Sequence, residues 1–549
     1  MKKWLNHNSL LFCMLSAGFL IRLYLSWRPL VYLDNLFIPD DAYISLKIAK
    51  NLASGLGITF DGIHLTNGFQ CLYIFLLTPI YLLWSNDLIT PVHLALTFLS
   101  FCDTVTIFLV YKIVLRLTNK SSALFSAFLW CFSPPVISNA LNGLETSLTV
   151  CLIAACTYFY IINIRGKETS QSHYIILGLL FGFLLLARVD SIFFVIAVCL
   201  DLIWISKPTL HSTKYQPLVR NFIKIIVGSL VILLPWFLIE AYYFQSIIPE
   251  SLYSLRLQHF SYKTSPGWSL FFSLYNIAHS LILTGSRYKF IFFVEMASKP
   301  LTTQLLLLTF LFLCIGILLY GLQRVLRGTT NGNIIFLFIY SLSLFLFYSL
   351  YLPVFWFFKR YYHPISLAIT IYFGLFFFLV TNKWLGNRFK IIKSLFIALC
   401  YMLIFYSFAP PLRLFIWGTP AYTIDTSIFG TKGYYTPAKE AAKTIPPGAK
   451  IGAFQSGAFG YFLNENLVLN LDGKVNGEAR NALKKHRIFD YLKSQDIEYL
   501  IAWDLNLQRL LAKRSQYSKD HITKNLEHIA DLHRQGRQTF RIYEVNYRP

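Results

Sequence analysis

The stretch IPDDAYISLKIAKNLASGLG, residues 38–57, places two adjacent acids just after the first apolar segment of the chain. Most of the surrounding sequence is apolar, and a carboxylate beside a bilayer costs free energy unless a partner or a function compensates for it. The pattern after the acids predicts a helix that ends at Gly55. Asp40 and Asp41 suit its first turn, because negative charge is favourable at a helix N-terminus. The pair can therefore start a helix, act as a base or cation site, or do both.

The composition is typical of a membrane protein. Of the 549 residues, 56% are hydrophobic and only 14% are charged, whereas a soluble domain carries about 25% charged residues. The formal charge of +23 could indicate a nucleic-acid partner. The basic residues, however, lie mainly in short loops between apolar runs, as the positive-inside rule predicts. We therefore expect a multi-pass protein of the lipid bilayer and no nucleic-acid partner.

The apolar runs and the basic loops together predict a topology. The run 69–84 is shorter than the roughly 17 residues that a spanning helix needs. If this run re-enters or lies at the interface, every basic cluster falls on one side of the membrane. We then expect about eleven transmembrane helices, a cytoplasmic N-terminus and a first outer loop 28–91, in a bacterial inner (plasma) membrane. The runs lie near 8–27, 69–84, 92–115, 122–137, 145–164, 173–187, 190–206, 221–243, 301–321, 333–351, 363–381 and 391–408.

The last part of the chain differs in kind from the rest. Residues 1–408 are predicted to form an all-α membrane domain, and residues 409–549 a small periplasmic or extracytoplasmic α/β domain, because short strand patterns alternate there with helix patterns. The predicted strands are AKIGAF, NLVLNL, IEYLIAW and FRIYEV, and the predicted helices are RIFDYLKSQ and HITKNLEHIADLHRQ. The segment GAFQSGAFGYF lacks the spacing of a nucleotide-binding loop and predicts a strand-to-helix turn.

Polar residues recur at the predicted outer ends of the apolar runs. Glu145 starts one run, and Arg188 and Asp190 interrupt some thirty apolar residues in LLLARVDSIFF. An acid in a first helical turn and a structural ion pair are the plain interpretations, and an arginine that meets a phosphate is the functional one. Asp103, in the middle of a run, is expected to be a buried hydrogen-bonded group and not a catalyst.

The segment FFKRYYHP is a second basic site at a predicted outer boundary. Basic residues on that side oppose the positive-inside bias, so they need a reason. Anionic lipid headgroups are one reason, and a bound monophosphate or diphosphate is the other. The segment contributes Lys359, Arg360, Tyr361 and His363 to the predicted substrate-binding residues.

The order and spacing of these pieces resemble the GT-C superfamily of polytopic glycosyltransferases. The strongest stretch begins at DDAYISLKIAKNLASGLGITFDGIHLTNGFQ, and NGLETSL, LLLARVDS, YYFQSIIPESLY, KRYYHP, IGAFQSGAFGYF and VLNLDGKVN support it. The chain is most similar to the bacterial branch around terminal arabinofuranosyltransferases. Aminoarabinose transferases and protein O-mannosyltransferases resemble it more distantly.

The resemblance implies an inverting transfer of a sugar from a polyprenyl-phosphate donor to an envelope glycan, lipid or protein. It implies that an acid of the first outer loop deprotonates the acceptor hydroxyl, with Asp40 the first choice for this base and Asp41 the second. Such a carboxylate is ionised at neutral pH and can accept a proton. The resemblance further implies that Asn67 and Glu145 position the sugar or the acceptor. The leaving phosphate would meet Arg188, Lys359 and Arg360.

Two questions stay open at this level. Paired acids also suit a divalent cation, so both a metal-dependent and a metal-free reaction are compatible with the sequence. A transporter or flippase of lipid-linked sugars is the alternative function. It would favour internal repeats and a binding site at the midplane, whereas the chain shows no repeat and carries its acids at an edge. An O-antigen ligase or polymerase is a third interpretation, but it would not call for an early acidic pair.

Overall fold

The structure, a computed structural model, describes residues 7–167, 169–206, 215–244, 249–262, 273, 277, 334–352, 359–386, 389–418, 433–535 and 538–547. A long array of apolar helices occupies the chain up to Trp417, and a small sheet with short helices follows it. The helices of the first part are α1 (His7–Ser26), α2 (Leu30–Leu36), α3 (Asp40–Ala53), α4 (Cys71–Leu83), α5 (Thr90–Leu117), α6 (Lys120–Phe132), α7 (Pro134–Ala140), α8 (Thr146–Phe159), α9 (Gln171–Ala187), α10 (Ile192–Ser206), α11 (Tyr215–Ile239), α12 (Glu250–Tyr262), α13 (Ile335–Leu346), α14 (His363–Phe378) and α15 (Lys390–Trp417).

The described helices make the chain a multi-pass membrane protein. Seven of them are long and apolar enough to cross a bilayer, or eight if the pair α6–α7, which bends by 59°, counts as one span. The expected number of about eleven is not confirmed, and the predicted run 301–321 lies outside the described residues. Helix α4 has 13 residues, which at 1.5 Å per residue is too short to cross a hydrocarbon core of about 30 Å.

Two ion pairs lie inside the helical array in the described part. Arg22 donates to Asp103 at 2.6 Å, and Trp130 donates to the other carboxylate oxygen at 3.0 Å. Arg165 likewise pairs with Asp201 at 2.8 Å. Asp103 is therefore the buried hydrogen-bonded group that the sequence predicts, and its pairing avoids the cost of an isolated charge.

The C-terminal part, which we call the tail, is built around a five-stranded mixed sheet of order β2-β1-β3-β5-β4. Strands β2, β1 and β3 are parallel, and β5 runs antiparallel to both β3 and β4. The tail consists of α16 (Tyr435–Thr444), β1 (Lys450–Ala453), α17 (Gly457–Phe462), β2 (Leu467–Asn470), α18 (Gly477–Lys484), α19 (Ile488–Ser494), β3 (Tyr499–Trp503), α20 (Lys519–Lys524), β4 (Leu526–Gln535) and β5 (Gln538–Val545), with short helical turns Asp504–Asn506 and Leu507–Ala512.

One tail prediction is wrong. The segment HITKNLEHIADLHRQ is not a single helix, because only its start lies in α20 and the remainder forms the edge strand β4. Register shifts between His528 and Ala530 and between Asp531 and His533 mark two irregularities in its pairing with β5. Such bulges interrupt the alternation of apolar and polar residues that identifies a strand. The four predicted strands, the helix within RIFDYLKSQ and the strand-to-helix turn are confirmed.

The tail and the membrane part share one apolar core. A single cluster of buried residues extends from Leu25 in α1 to Ile542 in β5. At its centre, the Tyr461 hydroxyl lies 2.8 Å from that of Tyr81, and the ring of Phe462 packs on Tyr43 at 5.3 Å. The last long helix also continues to Trp417, past the predicted domain boundary at residue 408.

Helix α2 holds the beginning of the tail through a buried carboxylate. Asp34 accepts hydrogen bonds from the hydroxyl of Tyr43 and from the backbone N–H of Tyr435, both at 2.8 Å. The neighbouring Asn35 accepts from the N–H of Gly433 at 3.0 Å. Burial raises the pKa of Asp34 to about 7, although these hydrogen bonds oppose the shift.

The pH dependence of unfolding should reveal this buried acid. Because the pKa of Asp34 rises from 3.8 to about 7, the folded chain binds the proton more tightly than the unfolded chain does. The resulting stabilisation is complete below the lower value and is lost as the pH rises through the upper one. We expect the melting temperature in detergent, followed by tryptophan fluorescence, to fall between about pH 4 and about pH 7 and to level off above that range. Asp34→Asn should flatten this slope.

Asp496→Asn is the matched control, because the side chain of Asp496 is 84% exposed. This substitution should not change the slope of melting temperature against pH. Equal slopes for Asp34→Asn and the wild type would contradict the role given to Asp34.

Candidate functional site

Asp40 is the first residue of α3, but its carboxylate accepts hydrogen bonds from another helix. The backbone N–H groups of Gly457 and Ala458, at the start of α17, donate to its two oxygens at 3.0 and 2.9 Å. The N-cap position of α3 itself is Pro39, and Asp40 and Asp41 lie in the first turn, as the sequence predicts. Burial raises the pKa of Asp40 to about 6, against the effect of these two N–H groups. Asp40 therefore lies at the start of α3 and also caps the start of α17 in the tail.

Asp41 lies between two cations that come from distant parts of the chain. Arg360 donates from Nη2 to one carboxylate oxygen at 2.5 Å, and Lys474 Nζ donates to the other at 3.0 Å. Burial alone would raise the pKa of Asp41, but Lys474 and Arg360 outweigh it and hold the pKa well below its usual range. The side chain of Asp41 keeps 23% of its surface exposed, so the ionised carboxylate is accessible. Asp41, Arg360, Lys474 and Asp472, which lies 3.2 Å from Lys474, form the Asp41 cluster.

A second charged cluster stands at the end of α9. Arg188 donates to Glu145 at 2.7 Å and forms a two-point contact with Asp190 at 3.0 and 2.6 Å. Tyr348, just beyond α13, accepts from Arg188 at 3.2 Å and donates to Asp190. These four residues form the Arg188 cluster. The predicted ion pair of Arg188 and Asp190 is present, and Glu145 completes it.

Tyr361 joins the two clusters. The guanidinium carbon of Arg188 lies 5.1 Å from the centre of its ring, and that of Arg360 lies 5.2 Å from it. Both distances are within the range of cation–π attraction. The helical turn Lys359–Tyr362 therefore brings one predicted residue into contact with both charged groups. The side chain of Lys359 lies outside the described residues.

Two other predicted residues have different surroundings. His363 is fully buried, and its ring stacks on Trp130 at 5.3 Å. Among the described residues, neither ring nitrogen has a hydrogen-bond partner. Asn67 is buried as well, and its side-chain oxygen accepts from the N–H of Glu250 at 3.0 Å. The substrate-binding roles of His363 and Asn67 stay predictions.

The residues that sequence reasoning missed are Lys474, Asp472 and Tyr348. Lys474 and Asp472 belong to the stretch VLNLDGKVN, which resembles the family. This stretch does not lie at a predicted membrane boundary, so its charged residues did not stand out. The sequence feature that could have pointed to them is the Asp-Gly pair before Lys474, because Asp and Gly favour a tight turn that fixes the next residue. Tyr348 lies within an apolar run and has no comparable signal.

The acids of the described residues form no metal cluster of the usual kind. No group of three or more His, Cys, Asp or Glu residues in these ranges is arranged to hold a metal ion. Around Asp41, two side-chain cations already occupy the carboxylate oxygens.

The comparisons with known proteins agree with this architecture. The family model described as dolichyl-phosphate-mannose-protein mannosyltransferase matches residues 92–239, and one described as a domain of unknown function matches residues 432–543. No curated protein matches the chain in sequence.

Among solved structures, ArnT from Cupriavidus metallidurans is similar in the apo state (TM-score 0.54, 12% identity) and bound to undecaprenyl phosphate (TM-score 0.52, 13% identity), in each case over 97% of both chains. The archaeal oligosaccharyltransferase AglB from Archaeoglobus fulgidus, in complex with an inhibitory peptide and a dolichol-phosphate, is similar over 96% of this chain and 74% of its own (TM-score 0.52, 12% identity).

A helical membrane part followed by an α/β tail is the fold that this chain shares with ArnT and AglB. The chain has the GT-C fold, and its resemblance to this superfamily of glycosyltransferases is thereby confirmed. The branch around terminal arabinofuranosyltransferases stays a prediction.

Loss of Arg188 should destabilise the fold strongly. Arg188→Met leaves the carboxylates of Glu145 and Asp190 without their cation, and removal of one partner from a buried ion pair costs about 3–5 kcal/mol. We expect a loss of this size in SDS-titration unfolding, and a smaller loss for Arg188→Lys, which keeps the charge but not the two-point geometry.

Arg487→Met provides the control, because Arg487 pairs with Asp490 at 3.9 Å on the surface and should contribute at most about 1 kcal/mol. Equal effects of Arg188→Met and Arg487→Met would contradict the structural importance of the Arg188 cluster.

Proposed function

We propose that the chain is an inverting glycosyltransferase that moves a sugar from a polyprenyl-phosphate donor to an envelope acceptor, at the outer face of a bacterial inner membrane. The observation that carries the proposal is the Asp41 cluster, in which an accessible, ionised carboxylate stands beside an arginine that begins a candidate membrane span. The family match over residues 92–239 supports the reaction class. The fold it shares with structures solved with undecaprenyl phosphate and dolichol-phosphate supports the donor class.

Asp41 is better suited than Asp40 to act as the base. Both oxygens of Asp40 accept backbone N–H groups of α17, so a proton taken up there would weaken the attachment of the tail. Asp41 contacts the side chains of Arg360 and Lys474 instead, and Arg360 can turn toward a substrate. The predicted order of the two acids is therefore reversed in this proposal.

The proposed reaction is a single displacement at the anomeric carbon. The acceptor oxygen forms a bond to this carbon while its proton passes to a carboxylate oxygen of Asp41. The bond between the anomeric carbon and the phosphate oxygen breaks, and its electron pair stays on the phosphate. The sugar inverts its configuration, and the lipid phosphate leaves with one more negative charge than it had in the donor.

Arg360 is the described cation nearest to this developing charge in the proposal. It donates to Asp41 in the free protein, and a phosphate is the other anion that a guanidinium binds well. When the donor phosphate draws Arg360 away, the pKa of Asp41 rises because it loses a neighbouring positive charge. Donor binding would thus strengthen the base at the moment when the acceptor needs it.

The same arrangement disfavours a carrier. Transporters bind their cargo near the bilayer midplane and expose the site to each side in turn. Here Asp41 stands in a cluster with Lys474 of the tail, a part of the chain outside the spanning helices.

The two acids should behave differently on substitution. With purified protein in nanodiscs and a panel of polyprenyl-phosphate sugars, we expect Asp41→Asn to lower kcat by about 10²- to 10⁴-fold, the usual contribution of a general base. Asp40→Asn should lower the melting temperature, because its amide turns an N–H toward an N–H of α17, and should retain more of the transfer.

The exposed substitution Asp496→Asn is again the control. Full transfer by both Asp40→Asn and Asp41→Asn would contradict base catalysis by this pair. Donor binding by the wild type without turnover, across several acceptors, would favour the carrier.

A further inference from the structure

We propose that Lys474 of the tail is a positioning residue of the transfer site, which orients the Asp41 carboxylate and keeps it ionised. The catalytic base would then be complete only when the tail is docked on the membrane part. This inference rests on the proposed function, and it assigns the tail a part in the chemistry of that site.

Lys474 reaches Asp41 from a rigid turn. The turn lies between β2 and α18, and within it the N–H of Lys474 donates to the Asp472 carboxylate at 3.0 Å. Gly473 has a φ of +76°, a conformation that residues with a side chain rarely adopt. The same Asp472 lies 3.2 Å from Lys474 Nζ, so both ends of Lys474 are fixed by one carboxylate.

The first outer loop braces this turn from the opposite side. A side chain added at Gly68 would collide with the backbone carbonyl of Lys474, so the two segments approach backbone to backbone. Ser254, in α12, donates to the carbonyl oxygen of Asp472. Two other segments of the chain, around Gly68 and Ser254, therefore contact the turn.

The ionisation of the Asp41 carboxylate depends on the charged groups that surround it, and Lys474 is one of them. The neighbouring Asp40 opposes a second negative charge, and Arg360 and Lys474 favour it. The proposed function commits Arg360 to the donor phosphate during transfer. Lys474, which Asp472 anchors, is then the cation that remains on Asp41.

Kinetic measurements can distinguish an ion pair of Lys474 that only stabilises the fold from one that positions Asp41 for the reaction. We expect Lys474→Met to lower kcat by about 10- to 100-fold, as removal of a group that orients a reactive ligand does, with little change in the KM for the donor. Without this cation the pKa of Asp41 rises, so the acid limb of the pH–rate profile should move up by about one pH unit. Lys474→Arg should restore most of the rate and the original limb.

Lys443→Met is the matched control in the same part of the chain, because Lys443 is exposed and pairs only with Glu440 among the described residues. It should keep the wild-type rate and profile. A Lys474→Met variant with wild-type kcat and an unmoved acid limb would overturn the proposal. A large rise in donor KM with an unmoved limb would do so too, since it would make Lys474 a donor ligand.

The pairing can also be measured without turnover. In pulse acetylation with acetic anhydride, read by mass spectrometry, Lys474 should react much more slowly than Lys443 in the wild type and faster in Asp41→Asn. Equal reactivity of Lys474 and Lys443 in the wild type would overturn the proposal even if Lys474→Met did not fold. Absence of transfer by the wild type from every donor would contradict the proposed function itself, whereas the other outcomes bear on Lys474 alone.

Discussion

A carboxylate that leaves water must find positive charge or hydrogen-bond donors. The arrangement of this molecule depends on how three acids between α1 and α4 find them. The segment from α2 to α3 carries three acids, and none of them finds its partners only within that segment. Each takes at least one partner from the tail. The need to compensate three buried charges thus ties together parts of the chain that lie some four hundred residues apart.

The three acids use two different solutions, with opposite effects on their protons. Asp34 and Asp40 accept from backbone and hydroxyl groups, which offer only partial charges, so burial dominates and their pKa values rise. Asp41 receives full charges from Arg360 and Lys474, and its pKa falls. The adjacent residues Asp40 and Asp41 can therefore serve as an anchor and as an ionised group, because their environments differ in kind.

The Arg188 cluster supplies a firm support beside this site. Its arginine is enclosed by two carboxylates and a tyrosine, and Tyr361 connects it to Arg360 through two cation–π contacts. An arginine so completely paired is a less available phosphate ligand than one held at a single carboxylate. This division explains why the proposed function relies on Arg360 and leaves Arg188 with a structural part.

Much of this molecule could be predicted from its sequence, for identifiable reasons. Long apolar runs and a helix pattern after Asp41 are local signals, and they predicted the membrane array and α3. The pairing of Arg188 with Asp190 was predictable because the two are neighbours in the chain. The partners of Asp40 and Asp41 were not, because Gly457 and Lys474 are distant in sequence and their approach depends on tertiary packing. Strand β4 was misassigned since its irregular pairing with β5 hides the alternation that a strand normally shows.

The apolar core that the tail shares with the membrane part also limits how such a protein can be rearranged. Phe459, Tyr461 and Ile542 belong to the same buried cluster as α3 and α4. A tail separated from its own helices would present these side chains to water, and a tail transplanted from a relative would meet a surface shaped for another. The shared core therefore requires that a change on the contact surface of the tail be matched by a change in the helices that it packs on.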